Sequence, residues 1–493
     1  MTQHIHLIAI CGTAMGTLAG MLKEKGYTVT GSDENVYPPM SEMLAKWGIP
    51  ILKGFRPENI KPRPDLVIVG NAVSKTNPEV TAMLGAGIPY LSLPQALGRY
   101  FLEGKRSLVV TGTHGKTTTT SLLAWVLFDL GLDPSFLVGG IPQNFGASFR
   151  LGSGEFFVVE GDEYDTAFFD KGPKFLHYRP ERVILTGVEF DHADIYRDLE
   201  HLMQSFRRLV ELIPPGGRLY LCGDNENALK LKSLARCPVM TYGTEGACDL
   251  RAEQIRLGPS GVEFRLMRKN EDLGEFRSPL PGRHNLQNLL GVIAMILGME
   301  SSLETNPPNP PFSKGGKMGP PPLKKGDRGG FFHRLQSSIL KFEGVRRRQE
   351  VRGVVRGVTV IDDFAHHPTA VAETIEAIRR RYPGQKVWAI FEPRSNTSRR
   401  AVFQKDFAKA LALAGEVILA KVFMPEKVKD APLLDEKQLA EDIQRLGTPV
   451  KEGLEVDEIV EDIVPRVKEG DVLLVMSNGG FGNIHQKLLE RLS

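Results

Sequence analysis

The run Thr111-Gly112-Thr113-His114-Gly115-Lys116-Thr117-Thr118 joins two glycines, a lysine and successive hydroxyls, the residue types that cradle a nucleoside triphosphate. The apolar Ser107-Leu108-Val109-Val110 before it reads as a buried strand. The stretch Ser121-Leu122-Leu123-Ala124-Trp125-Val126-Leu127 after it reads as a helix. A glycine turn between the two aims free backbone N–H groups at a phosphate, and the helix N-terminus adds partial positive charge. Lys116 then reaches the β- and γ-phosphates, and Thr117 offers a hydroxyl to Mg2+. Val110 stands where the full G-x-x-x-x-G-K-T pattern has its first glycine, so the match is partial.

Two acidic constellations follow. Glu160-Gly161-Asp162-Glu163-Tyr164-Asp165 comes directly after the apolar Phe156 to Val159, and Glu189-Phe190-Asp191-His192 comes shortly after Ile184-Leu185. In an open α/β sheet the residues just past the carboxyl ends of strands line the ligand crevice. Carboxylates there suit Mg2+, which prefers hard oxygen ligands together with substrate phosphates, while an imidazole is a less usual addition.

A third constellation lies at the start of the chain. Gly12-Thr13-Ala14-Met15-Gly16 follows an apolar strand and opens a helix, and Asp33 ends the next strand, where a ribose-binding acid would sit. The G-x-G-x-x-G pattern is absent, because Ala9, Cys11 and Ala14 occupy its glycine positions. A nicotinamide dehydrogenase is disfavoured on that ground. A diphosphate over the backbone of Gly12 to Gly16 is compatible with it, as is a plain helix–strand packing turn.

These groups must be held by strands that alternate with helical patterns throughout, the signature of α/β domains with mostly parallel sheets. A chain of 493 residues is too long for one core. We expect three units, at 1–104, 105–343 and 344–493. Residues 304–333, rich in Pro and Gly, read as a disordered insertion unable to bury enough apolar surface to offset its ordering entropy.

Composition narrows the class. The 62 Lys and Arg against 59 Asp and Glu leave a formal charge of +3, too little to argue for nucleic acid. Cys11, Cys222, Cys237 and Cys248 show no C-x-x-C pairing, so neither a disulfide framework nor a zinc site is indicated. No apolar run is long enough to span a membrane. The opening residues run straight into a strand and leave no room for a signal peptide, so a cytoplasmic protein is expected.

Taken in order, the phosphate loop, the Glu160–Asp165 cluster, Asp191-His192, Gly282-Arg283-His284-Asn285-Leu286-Gln287-Asn288, Gly344-Val345-Arg346-Arg347-Arg348 and Asp362-Asp363-Phe364-Ala365-His366-His367-Pro368-Thr369 resemble the successive motifs of the Mur ligases. Those are ATP-dependent amide-forming enzymes of peptidoglycan synthesis. The resemblance implies a three-domain α/β architecture: a Rossmann-like UDP-binding domain, a central ATPase domain and a C-terminal Rossmann-like domain. It also implies ATP and Mg2+. Gly112 to Thr118, Asn288, Arg348 and Asp363 would hold ATP, with Asn288 on adenine and Asp363 on ribose. Lys116, His192 and Arg348 would be catalytic, and Thr117, Glu160 and His192 would hold Mg2+.

The His-His-Pro-Thr form is similar to that of the branch acting on UDP-N-acetylmuramate. Gly12, Thr13, Ala14, Met15, Gly16, Ser32, Asp33 and Asn71 would bind this sugar nucleotide. The stretches at Gly31–Ser41, Glu392–Thr397 and Met476–Leu489 resemble members that join a murein tripeptide, L-alanyl-γ-D-glutamyl-meso-diaminopimelate, with addition of L-alanine alone as the alternative. Arg394, Ser395, Asn396, Asn478 and His485 would then meet the peptide. A monomer or weak homodimer is expected. Several family members carry a carbamylated lysine in the helix after the histidine motif, but His201 to Leu209 contains no lysine, so none is expected here. A P-loop motor or signalling ATPase would share the phosphate cradle and leave the later motifs unexplained. A non-catalytic UDP-sugar module would have no use for Lys116 with Glu160 and His192.

Overall fold

The computed structural model describes residues 2–36, 40–300, 328–429 and 431–493. In the first unit, five parallel strands stand in the order Ile51–Lys53, Thr28–Asp33, His4–Ile8, Leu66–Val69 and Tyr90–Ser92. The strand order reverses beside His4–Ile8, so the loops past the carboxyl ends of His4–Ile8 and Leu66–Val69 diverge and leave a crevice. The helix Thr13–Glu24 begins at that crevice.

The second unit carries ten strands in one sheet. Its centre is parallel: Val239–Gly243, Arg218–Cys222, Arg182–Leu185, Arg106–Thr111, Phe156–Gly161 and Ser135–Leu137 lie side by side. Leu108, Val109, Val110, Val158 and Ile184 are fully buried, as expected of central strands covered on both faces. An antiparallel meander, Leu250–Gly258, Gly261–Arg268 and Glu271–Ser278, extends one edge. The loops after Arg106–Thr111, Phe156–Gly161 and Arg182–Leu185 emerge together at the carboxyl edge, and these loops hold the phosphate run and both acidic constellations.

The third unit is a six-stranded sheet in the order Glu350–Val355, Val358–Asp363, Val472–Met476, Val387–Phe391, Glu416–Ala420 and Val450–Leu454. Only Glu350–Val355 runs antiparallel to its neighbour.

The cores divide the molecule differently from the sheets. One apolar cluster runs without a break from Ile5, Leu18 and Ile68 through Tyr100, Phe101 and Leu102 to Phe157, Val183 and Phe206, joining the first two units. A second covers the other face of the ten-stranded sheet beneath the helices Lys116–Asp129 and Arg283–Leu297. The third unit has its own two clusters, on either face of its sheet. Among the described residues no apolar cluster ties residues beyond 358 to the rest.

One expectation needs correction. The insertion expected at 304–333 ends earlier, because a helix spans Arg328–Leu340. Phe331, Leu335 and Ile339 recur every four residues and all lie in the core. That apolar stripe outweighs the helix-weakening Gly329 and Gly330. The remainder of the insertion, and Tyr37 to Pro39, lie outside the described residues. Among the described residues no helix is long and apolar enough to cross a membrane.

Candidate active site

The phosphate loop depends on its glycines. Gly112 and Gly115 take φ of +128° and +78°, and a Cβ on either would stand 2.2 Å from a neighbouring oxygen, Thr186 Oγ1 or Asn288 Oδ1. Thr113 N–H donates to Gly187 O at 2.9 Å and Thr186 Oγ1 donates to His114 O at 2.6 Å, which fixes the loop to the adjoining strand end. The helix Lys116–Asp129 starts directly from Gly115. Beside the loop opens a cavity of about 650 Å³, walled by His114, Asp224, Asn288, Arg348, Asp363 and Glu373 among others.

Lys116 Nζ lies 2.8 Å from both oxygens of Glu163, whose side chain is fully buried. Burial would favour loss of the lysine proton, but Glu163, Asp162 and Glu160 hold the ammonium charged and raise its pKa. Thr117 Oγ1 donates to Glu160 Oε1 at 3.0 Å, and the other Glu160 oxygen accepts Gly139 N–H at 2.9 Å. A hydroxyl and a carboxylate beside a phosphate cradle are the hard-oxygen donors that Mg2+ takes, so this pair fits the ion. His192 faces elsewhere: its Nε2 is 3.2 Å from Glu163 Oε1, and Asp162, Glu163 and His192 form a compact group of potential ligands. Burial disfavours the charged ring, yet the bond to Glu163 and the charge of Asp191 prevail and raise its pKa to about 9.

The third unit closes over the loop. Of the three arginines, Arg346 is exposed and Arg347 donates to Ser477 O and Gly479 O, while Arg348 points inward. Arg348 Nη2 is 3.3 Å from Thr117 Oγ1, and its guanidinium lies over the Phe364 ring. Further polar bonds sew the seam: Thr369 Oγ1 to Glu189 Oε2 at 2.6 Å, Thr397 Oγ1 to Asp191 Oδ1 at 2.6 Å, and Asn396 Nδ2 to Asp194 Oδ2 at 2.8 Å. Asn288 stands against Gly115 and bonds Asn285, and Asp363 lines the cavity with its oxygens engaged by the N–H groups of Gln349 and Ala365. His284 and His367 are neutral, since burial and the neighbouring His114 push both down to about 4.

At the first sheet, Gly12, Thr13 and Ala14 are exposed at the start of the helix Thr13–Glu24, with Met15 and Gly16 buried behind them. Asp33 braces this turn by accepting Cys11 N–H at 2.8 Å and Asn35 N–H at 2.9 Å. Asn71 is exposed just past the strand Leu66–Val69. Ser32 does not reach the crevice: it is fully buried and donates to Glu79. The two-residue alternation of the strand turns its side chain beneath the sheet.

Around the loop after Val387–Phe391, the Arg394 guanidinium lies 3.6 Å from the Phe423 ring centroid and 3.5 Å from Glu392. Ser395 is buried and bonds Ser398. The side-chain oxygen of Asn478 is buried without a hydrogen-bond partner. His485 belongs to a different place, seated in the interior 3.3 Å from Asp362, which also takes Arg347. It braces the Arg347 loop rather than a ligand surface.

Sequence reasoning gave Glu163 and Glu189 no role beyond the acidic constellations that suit Mg2+, and gave Glu373 none. Glu163 stands two residues beyond the strand end at Gly161, where the alternation that assigns a face stops applying. Burial, with a lesser push from Glu189, raises Glu373 to about 7 against the opposing charge of His114.

Comparison with known proteins gives three family matches in succession. Residues 4–104 match the Mur ligase family catalytic domain, 110–296 the Mur ligase middle domain and 346–479 the Mur ligase glutamate ligase domain. The chain is 40% identical to the Escherichia coli UDP-N-acetylmuramate–L-alanyl-gamma-D-glutamyl-meso-2,6-diaminoheptandioate ligase, covering 100% of this chain and 98% of that one. It is 31% identical to the UDP-N-acetylmuramate–L-alanine ligase of Caldanaerobacter subterraneus, over 99% and 97%. The crystal structure of a murein peptide ligase from Psychrobacter arcticus superposes with a TM-score of 0.71 at 33% identity, over 99% and 98%.

Proposed function

We infer, from the premise that this chain belongs to the Mur ligase family, that it joins L-alanyl-γ-D-glutamyl-meso-diaminopimelate to UDP-N-acetylmuramate at the expense of ATP. Full-length identity of 40% to a tripeptide ligase, against 31% to an alanine ligase, favours the tripeptide as acceptor. The observation that carries the chemistry is Arg348, which reaches from the third unit to Thr117 beside Lys116 and brings two cations to one phosphate cradle.

The reaction needs that concentration of positive charge. A carboxylate is a poor electrophile, since its attacker meets negative charge and its leaving group would be oxide. Transfer of the γ-phosphoryl group of ATP to the muramoyl carboxylate gives an acyl phosphate and ADP. The α-amine of the peptide's L-alanine attacks the acyl carbon, and the tetrahedral adduct expels phosphate and forms the amide. Catalysis is then chiefly positioning and charge neutralisation. Lys116 and Arg348 neutralise the transferring group, while the N–H groups of Gly112 to Thr118 hold the phosphates. Thr117 and Glu160 would hold Mg2+; His192, which the family resemblance adds as a third ligand, bonds Glu163 and would have to turn from that carboxylate to join them. When bound, the ion screens the nucleotide's charge and orients its terminal phosphate.

Asn288 and Asp363 serve the nucleoside of ATP. Gly12 to Gly16, Asp33 and Asn71 take the UDP moiety. Arg394 and Asn478 meet the peptide, whose free carboxylates suit a guanidinium fork, while Ser395 and Asn396 support that loop through Ser398 and Asp194. The test supplies ATP and UDP-N-acetylmuramate with either tripeptide or L-alanine and follows the coupled product by mass spectrometry. Efficient use of the tripeptide is expected. Efficient use of L-alanine with the tripeptide ignored would replace this reading by the alanine-adding one.

A further inference from the structure

We propose that Thr397 is a positioning residue: from across the domain seam it sets the backbone of His192, so that the loop meeting the peptide also completes the phosphoryl-transfer site. The proposal rests on the ligase reading above. His192 takes a left-handed φ of +55°, which is uncommon for a residue with a side chain although histidine visits it more readily than most. Two oxygens hold it here. His192 N–H donates to Asp191 Oδ1 at 2.7 Å and to Thr397 Oγ1 at 3.1 Å, and the same threonine hydroxyl donates to Asp191 Oδ1 at 2.6 Å. Thr397 and Asp191 are both almost wholly buried, so no water substitutes for the hydroxyl.

The effect reaches the phosphate loop in two more contacts. The His192 ring bonds Glu163, and Glu163 holds Lys116 with both oxygens. A second tether runs alongside: Asn396 Nδ2 donates to Asp194 Oδ2 and to Tyr164 Oη, and the Tyr164 ring packs edge-on against the His192 ring, centroids 5.1 Å apart. On its own side the loop is stiff. Ser398 Oγ accepts the N–H groups of Arg394 and Ser395, and Arg399 Nη2 donates to Asn396 Oδ1. A displacement of Arg394 by its ligand is therefore passed to Thr397, three residues on, rather than absorbed.

The arrangement suits a two-step reaction with a labile intermediate. Water attacking the acyl phosphate would regenerate the carboxylate and release phosphate, turning the cycle into net hydrolysis of ATP. A histidine set only when the peptide loop is docked ties phosphoryl transfer to the presence of the acceptor site.

The test compares wild type with Thr397→Val, which keeps the shape and removes the hydroxyl, and Thr397→Ser, which restores it. Valine should lower ligation kcat about 10- to 100-fold with KM for ATP and UDP-N-acetylmuramate within about threefold, and serine should recover most of the loss. Amide hydrogen exchange in the nucleotide-free protein should quicken at 189–196 in the valine variant and nowhere in the first sheet, and serine should reverse it. A valine variant with unchanged kcat, or with unchanged exchange at 189–196, would overturn the proposal. Equal losses for serine and valine would also overturn it, since bulk and not the hydroxyl would then matter. Should valine not fold, Thr397→Ala takes its place under the same criteria. If wild type ligates only L-alanine, the substrate reading fails, and the kcat comparison runs with L-alanine. If it ligates neither, the exchange measurement decides alone.

Discussion

Lys116 illustrates how a buried charge is kept until needed. An ammonium without a counter-charge in that loop would be costly, and Glu163 provides the counter-charge. Lys116→Ala is expected to cut ligation on the order of 10³-fold or more, because it removes a charge that stabilises the transferring phosphoryl group. UDP-N-acetylmuramate affinity, measured by titration calorimetry, should stay near wild type, since the sugar nucleotide is proposed to sit at another sheet. Near-normal turnover would remove Lys116 from the mechanism. Glu373 gives a second expectation at this scale. It holds its proton up to about pH 7 in the folded chain, against 4.5 for an ordinary glutamate. Between those values the folded state binds the extra proton, so this group's contribution to stability falls as pH rises through the window. Glu373→Gln, which cannot ionise, should therefore gain in Tm relative to wild type as pH goes from 5 to 8. A Tm difference independent of pH would show that Glu373 titrates normally.

Among the elements, the turn from Arg106–Thr111 into Lys116–Asp129 is the least forgiving. Gly115→Ala adds a left-handed alanine and drives a methyl towards Asn288, so about 1–3 kcal/mol of stability and most nucleotide binding should be lost. Gly146, with φ of +65° and nothing within 4 Å of an added Cβ, is the control. If Gly115→Ala and Gly146→Ala lower Tm equally in thermal melts, the contact with Asn288 is unimportant. Elements of this kind were readable from the chain alone. Val109, Val110 and Val158 sit in strands covered on both faces, which makes them continuous apolar runs, and loops at strand ends follow from that. Arg328–Leu340 was partly misread because Gly and Pro density masked the four-residue recurrence of Phe331, Leu335 and Ile339. Ser32 and His485 were misassigned for a different reason: motif position gives an address along the chain, while the face of a strand or the first turn of a helix decides where the side chain goes. The docking of Thr397 on Asp191 joins residues 206 apart in sequence, and no local pattern encodes it.

At the scale of the molecule, the polar seam explains how a site divided between units can assemble. Arg348, Thr369, Asn396 and Thr397 meet the middle unit through hydrogen bonds, while the apolar clusters beyond residue 358 stay within the third unit. Nucleotide bound as proposed, against both Lys116 and Arg348, should favour the closed form by mass action. The core shared by the first two units has the opposite character. Tyr100, Phe101 and Leu102 fill a cluster to which both sheets contribute, and neither sheet can shed the other without baring it to solvent. Cooperativity should follow the cores and not the sheets. Scanning calorimetry of the nucleotide-free protein is expected to resolve two transitions, one for residues beyond about 358 and one for the first two units melting as a single block; three separate transitions would contradict it. Evolutionary exchange of parts should obey the same partition: the third unit is the separable module, whereas the first two can be replaced only as a pair.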